Sequence, residues 1–439
     1  MAPAAHRLPA AIAAALATLL ALGVAAPAPA HAQRPQLAGE ATYGLPGGDL
    51  LVHYATAGDD APPPADADGD GVPDFVESVA EIAEAALDQL VALGFRAPLP
   101  DALGGDSRTD IYLRNLVSAD GSAGIDGCTA NRCVGYVVAE NDYAGYSYPS
   151  VTEGIQSVVP HEIFHLIQYA YAGGQPSSWT EGSAVWAVEQ LYGAGNSDFE
   201  RFLPSFLTRS FRPFERAPAG FGDGYAYGAA LWPYFLAHRF EPAAVVEAWQ
   251  ASESAVFLDA AGAALASRGS SLEAAFIELT RWNLFTGARA AGGGYPDAGA
   301  WPVVPLEPAA DGDTRIFIEG LSARYLPLTV GELPRVAVRP PAGLRVAAWL
   351  VRDGGTLADG VELTERDGVL AATAPPGAYT LVVTGLSRGT IATAVEVELT
   401  PPVDDEDGGG CSAAGGGAGR GGALALLVVI YAARPRRRR

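Results

Sequence analysis

Apolar positions change period along the chain, and the changes divide it. Val79, Ile82, Ala86, Leu90 and Leu93 fall at helical spacing until Gly94, which predicts one helix ending there. Residues 110–113 and, more clearly, 133–138 read as strands. Val158, Val159, Ile163, Phe164, Leu166 and Ile167 predict an apolar helix that ends at Gly173-Gly174, with Pro160 marking a kink or a helix start. A shorter apolar stretch runs from Trp179 to Trp186, and residues 228–240 and 271–285 are helical in pattern.

From Arg315 the period becomes two. Residues 315–318, 325–330, 335–338, 345–350, 379–383 and 394–399 alternate in strand fashion between Gly and Pro turns, which predicts a β-sandwich. The fold class expected is α+β, with one mixed domain over residues 33–300 and a sandwich over 301–400. The sandwich run carries no catalytic constellation, so a spacer or binding role is expected of it.

The ends add an address. Arg7, an Ala/Leu run from Ala10 to Ala26 and Ala30-His31-Ala32 make residues 1–32 a secretory signal with cleavage before Gln33. Export implies an oxidising compartment, where Cys128 and Cys133, bracketing a short loop, are expected to pair; a metal-binding pair lacks further ligands. Residues 401–410 form an acidic, Gly-rich linker. Residues 411–439 hold Cys411, a Gly-rich stretch, an apolar run too short for an ordinary span and a terminal arginine cluster. Between 33 and 410 there are 21 basic residues against 50 acids, a net charge of −29. Nucleic acid is therefore not an expected partner. The chain has no Lys, which suggests a GC-rich genome more than a function.

Within the apolar helix stands His161-Glu162-Ile163-Phe164-His165. Residues four apart share a helix face, so both imidazoles can reach one metal ion. The glutamate between them can take a proton from metal-bound water. That is the residue set of a zinc hydrolase. Two surface histidines on an ordinary helix are the plainer alternative, but so apolar a segment makes unpaired polar groups costly. A catalytic zinc needs a third protein ligand and an open position. Six residues after His165 stands Tyr171, so a third histidine there is excluded. His53 and His238 sit in a strand-like and a helix-end context and read as structural. Glu181, in Trp179-Thr180-Glu181-Gly182, is the better third ligand, with a helix-start acid as its alternative.

HExxH followed by E-G-x-A resembles the gluzincin metallopeptidases. The resemblance implies His161, His165 and Glu181 as zinc ligands, Glu162 as general base and a gluzincin-like fold. Tyr225-Ala226-Tyr227-Gly228 is similar to the Y-x-K-G of zinc aminopeptidases, which implies Tyr225 as oxyanion donor; Tyr227 replaces the lysine. Two packed aromatic residues at a helix start are the alternative. The strand at 133–140 is expected to line the cleft and accept an extended peptide at its edge.

Upstream, Asp66-Ala67-Asp68-Gly69-Asp70-Gly71-Val72-Pro73-Asp74-Phe75-Val76-Glu77 fits a calcium loop. Asp66, Asp68, Asp70, the Val72 carbonyl, Asp74 and Glu77 would supply oxygens to structural Ca2+; a solvated acidic turn is the alternative. Pro62-Pro63-Pro64 exclude a helix before it, and the loop resembles those of thrombospondin type 3 repeats. The order of calcium loop, helix, HExxHxxQ and W-x-E-G-x-A-x-W is similar to a family of myxobacterial metalloproteases, over about residues 66–250. The C-terminal tail resembles the myxobacterial sorting signal, which implies removal near Cys411 and retention at the cell surface. Together these readings expect an exported zinc metallopeptidase acting on peptides or proteins. A zinc hydrolase of another bond and a non-enzymatic adhesin on the same scaffold are the alternatives. Neither the oligomeric state nor the cleavage preference is legible.

Overall fold

A computed structural model describes residues 34–400 apart from 102, 104–105, 217–222, 309–312 and 333. The signal, the linker, Cys411 and the tail lie outside the described residues. The described chain is mixed α and β and belongs to one compact unit that reaches residue 401.

The first layer is a five-stranded sheet: β1 (Ala41–Tyr43), β2 (Leu50–Tyr54), β3 (Thr109–Arg114), β4 (Gly121–Thr129) and β5 (Arg132–Glu140), in the order β1-β2-β3-β5-β4. The β2–β3 and β3–β5 pairs are parallel, and β4 closes the sheet as an antiparallel hairpin with β5. Cys128 and Cys133 face each other across that hairpin and are bonded. Alternation decides the faces. Leu50, Val52, Ile111, Leu113, Val137 and Ala139 join the main core, while Tyr112, Tyr136 and Val138 form a small cluster apart from it. There His53 stacks on Tyr112 at 4.5 Å and bonds Glu40 and Asp110 at 2.7 and 2.8 Å. Its partners are Asp110 of β3 and Glu40, the residue before β1.

Two helices pack into the main core with that sheet. The predicted helix before Gly94 is α1 (Asp74–Ala92). The motif helix is α2 (Val151–Tyr169), capped by Ser150, whose side chain accepts from the Glu153 amide. Pro160 neither starts it nor ends it: the helix begins nine residues earlier. The ring removes one i→i−4 bond, and burial on neighbouring turns, from Gly154 through Gln168, outweighs that loss. Next come α3 (Ser177–Tyr192), α4 (Asp198–Leu207), α5 (Tyr225–Gly228), α6 (Leu231–Phe240), α7 (Ala243–Ala251), α8 (Phe257–Ala266) and α9 (Leu272–Leu284). His238 closes α6 by bonding the Tyr234 carbonyl at 2.9 Å, so it too is structural. Trp179 of α3 stacks on Trp249 of α7 at 5.3 Å and on Phe257 of α8 at 4.8 Å. Such contacts add about 0.5–1.5 kcal/mol each beyond area burial and hold α3 rigidly.

The period-two region forms two facing sheets. One is β7 (Ala323–Val330), β9 (Val346–Arg352), β10 (Val361–Glu362) and β13 (Gly377–Gly385). The other is β6 (Thr314–Ile318), β8 (Arg335–Arg339), β11 (Thr364–Arg366), β12 (Val369–Thr373) and β14 (Thr393–Thr400). Leu326, Leu328, Leu350, Leu381 and Val383 meet Val336, Val338, Val395 and Val397 between them. The intervening residues Tyr325, Trp349, Val351 and Val382 belong instead to the helical core. Tyr325 donates to the Thr280 carbonyl at 2.7 Å, and the Thr280 and Thr384 hydroxyls bond at 2.7 Å. The residue-300 boundary thus marks a change from helices to strands, and residues from both sides share one core.

Candidate active site

Helix geometry stacks His161 and His165 on one face of α2. Gln168 is also on α2, and its side-chain amide donates to the Thr180 carbonyl of α3 at 2.8 Å, one residue before Glu181. Gly182 then lets α3 approach the chain after α5: an added Cβ would lie 2.9 Å from the Ala229 carbonyl carbon. These contacts bring Glu181 over the histidines. Its Oε2 lies 3.3 Å from His161 Nε2 and 3.4 Å from His165 Nε2. His161, His165 and Glu181 are one of two acid or histidine groups among the described residues arranged to hold a metal ion.

The electrostatics favour a cation at that point. Burial opposes charge on His165, but the Glu181 and Glu162 carboxylates outweigh it and lift the imidazole to about 9. Burial would raise the Glu181 carboxyl, yet the two imidazoles hold it well below the usual carboxylate range. A divalent metal would satisfy the same donors in place of the shared proton.

Glu162 is 8 % exposed and lies in the same buried segment of α2. Burial raises its carboxyl, opposed by His165 and His161, as suits a group that must pick up a proton. Its side chain abuts the first residue of β4: a Cβ on Gly121 would lie 2.9 Å from Glu162 Cγ. This corrects the strand expectation. Residues 133–140 form β5, paired on both sides and so closed to a peptide. The edge strand beside Glu162 is β4. Pairing of β4 with β5 is a hairpin register, and a single alternating run does not reveal which of its edges is taken.

Tyr225 also requires correction. Its hydroxyl donates to the Arg212 carbonyl at 3.0 Å, and the Arg212 guanidinium lies over its ring at 4.4 Å. Two residues on a helix are about 200° apart around the axis, so Tyr227 faces the other way. Tyr227 stacks on His161 at 5.8 Å and on Phe202 at 4.8 Å, and its hydroxyl reaches Glu181. The aromatic pair in the sequence was the signal, but the rotation that separates its members was not readable there. Asp198, buried at the start of α4, was also not singled out in the sequence. Burial raises its carboxyl to about 6, and His161 acts against that rise. Nothing near it in sequence marks it.

In the acidic loop, Asp66, Asp68 and Asp70 lie close enough to share one ion, and all are exposed. Asp66 accepts from the Gly69 and Gly71 amides at 2.7 and 3.0 Å, and Asp70 accepts from the Val72 amide at 2.8 Å. Gly71 takes φ 94°, which supports the sharp turn. Asp74 accepts from the Ala67 amide at 2.9 Å, and the Glu77 carboxyl is raised first by burial and then by Asp68, Asp70 and Asp74; neither joins Asp66, Asp68 and Asp70 in the close group. Among the described residues no helix is long and apolar enough to cross a membrane.

No family model and no curated protein matches this chain. Among solved structures, one similarity is to the pre-peptidase C-terminal domain of a collagenase from Bacillus anthracis. Identity is 16 %, over 21 % of this chain and 95 % of that one, with a TM-score of 0.18.

Proposed function

We propose that the protein is an exported zinc metallopeptidase with a gluzincin-like catalytic region, in which His161, His165 and Glu181 hold the metal and Glu162 is the general base. The observation that carries the reading is the convergence of Nε2, Nε2 and Oε2 on one point. Metal–ligand bonds of about 2.0–2.1 Å in a tetrahedron give ligand–ligand edges of about 3.3–3.4 Å, and the two His–Glu separations match them. Two imidazoles and a carboxylate are a donor set for zinc that leaves one position open. Bound zinc would supply Lewis acidity toward a carbonyl and an acidified water.

The chain's own residues supply the rest. Glu162 removes and later returns a proton. Tyr227 offers its hydroxyl where negative charge develops on the substrate oxygen. The free edge of β4 offers main-chain groups to an extended peptide, which is the substrate class this arrangement fits. Purified protein should carry one zinc per chain and hydrolyse casein, with activity lost on chelation and restored by zinc. Protein that takes up no stoichiometric zinc would end the proposal, and zinc without hydrolysis would favour the adhesin.

The acidic loop is proposed to hold a structural calcium ion through Asp66, Asp68, Asp70, Val72, Asp74 and Glu77. Close carboxylates repel without a cation, so calcium should raise the melting temperature. In calorimetry the wild type should gain several degrees in millimolar calcium, as a stabilisation of about 1–3 kcal/mol implies. Asp68→Ala should gain nothing; an equal rise in both proteins would exclude the loop as the site.

A further inference from the structure

Gln168 is 1 % exposed, and every polar atom of its side chain is engaged. Its Nε2 donates to the Thr180 carbonyl at 2.8 Å and to Ser183 Oγ at 3.3 Å. Carbonyl oxygen can only accept, so this contact settles which way the amide points. The amide Oε1 must then be the atom at 2.9 Å from His165 Nδ1. Two acceptors cannot bond, so Nδ1 carries the proton. The lone pair of the neutral imidazole is left on Nε2, the atom that faces Glu181. One amide thereby selects the tautomer and the ring orientation of His165, and the same amide fastens α2 to the residue before Glu181.

The far end of the clamp is itself fixed. Ser183 donates to the Trp179 carbonyl at 2.5 Å, and its oxygen accepts from Trp249 Nε1 at 3.1 Å as well as from Gln168. Trp249 is fully buried on α7. A chain of hydrogen bonds therefore runs from the His165 ring through α3 to α7 with no solvent-exposed member.

We propose that Gln168 is a positioning residue that sets the second histidine and the glutamate as one preformed pair of metal ligands. This rests on the zinc reading above. Outer partners of this kind are worth about 10–100-fold in metal affinity. Gln168→Leu keeps the bulk and removes all three bonds; Gln168→Glu keeps an acceptor for His165 and loses the donor to Thr180 and Ser183. Zinc affinity measured by competition with a chromogenic chelator should fall about 10–100-fold in Gln168→Leu and recover in part in Gln168→Glu. The visible spectrum of the cobalt-substituted protein should change in Gln168→Leu, reporting an altered ligand geometry that a general loss of stability does not produce. Gln168→Leu binding zinc as tightly as wild type would overturn the inference while leaving the zinc centre standing. Wild type without stoichiometric zinc would remove both. If Gln168→Leu does not fold, Ser183→Ala carries the test: weaker zinc binding supports the clamp, and unchanged binding overturns it.

Discussion

Glu162→Gln should abolish most peptide hydrolysis while leaving the metal in place. Glutamine keeps the length and shape of the side chain but cannot accept a proton at catalytic pH. General-base catalysis contributes about 10²–10⁴-fold, so kcat on casein or a quenched peptide should fall by that factor. Glu162 is buried against Gly121 and is not one of the three atoms that converge, so zinc content should remain at one per chain. The neutral amide also removes a buried carboxyl whose charge is opposed by burial, so the variant should be no less stable than wild type in thermal unfolding. Full activity in Glu162→Gln would exclude Glu162 as the base. Loss of zinc together with activity would mean that the residue acts as a ligand.

The paired variants Tyr227→Phe and Tyr225→Phe should separate in kinetics. Removing one donor to a developing oxyanion costs about 10²–10³ in kcat with a smaller change in KM. Tyr227 is the tyrosine stacked on His161, with its hydroxyl toward Glu181, so its phenylalanine variant should show that loss. Tyr225→Phe loses only the bond to the Arg212 carbonyl, in a cage of arginines and Phe206. It should keep near-normal kcat and lose about 0.5–1.5 kcal/mol of stability in denaturant titration. The reverse outcome, with Tyr225→Phe inactive and Tyr227→Phe normal, would restore the assignment that sequence similarity implies.

The group of His161, His165 and Glu181 was legible because its members lie close in sequence. His161 and His165 needed only the 3.6-residue period, and Glu181 needed one short turn between two helices. The cluster of Asp66, Asp68 and Asp70 was legible for the same reason. The strand expectation at 133–140 failed on a different kind of fact. Whether β5 or β4 is the edge depends on pairing between strands, and β5 is flanked by β3 on one side and by its hairpin partner β4 on the other. The sandwich strands were mostly visible as alternation, but β10 and β11, only two and three residues long, were not, and neither was β12, whose apolar residues run together as VLAA without alternating. The shared core was hidden too, because alternation in β7, β9 and β13 has apolar residues on both faces and reads as an ordinary strand.

By itself, the sequence determined which residue types stand one helical turn apart, and hence that His161 and His165 share a face with Glu162 between them. It also determined the change from helical to alternating period, and so the order of the layers. Tertiary structure alone decided which tyrosine faces the donors, which strand is left with an open edge, and which amide orients His165. Those depend on the rotation of one helix and on hydrogen bonds between elements distant in sequence. Residues two apart on a helix carry the same local signal, and only packing tells them apart.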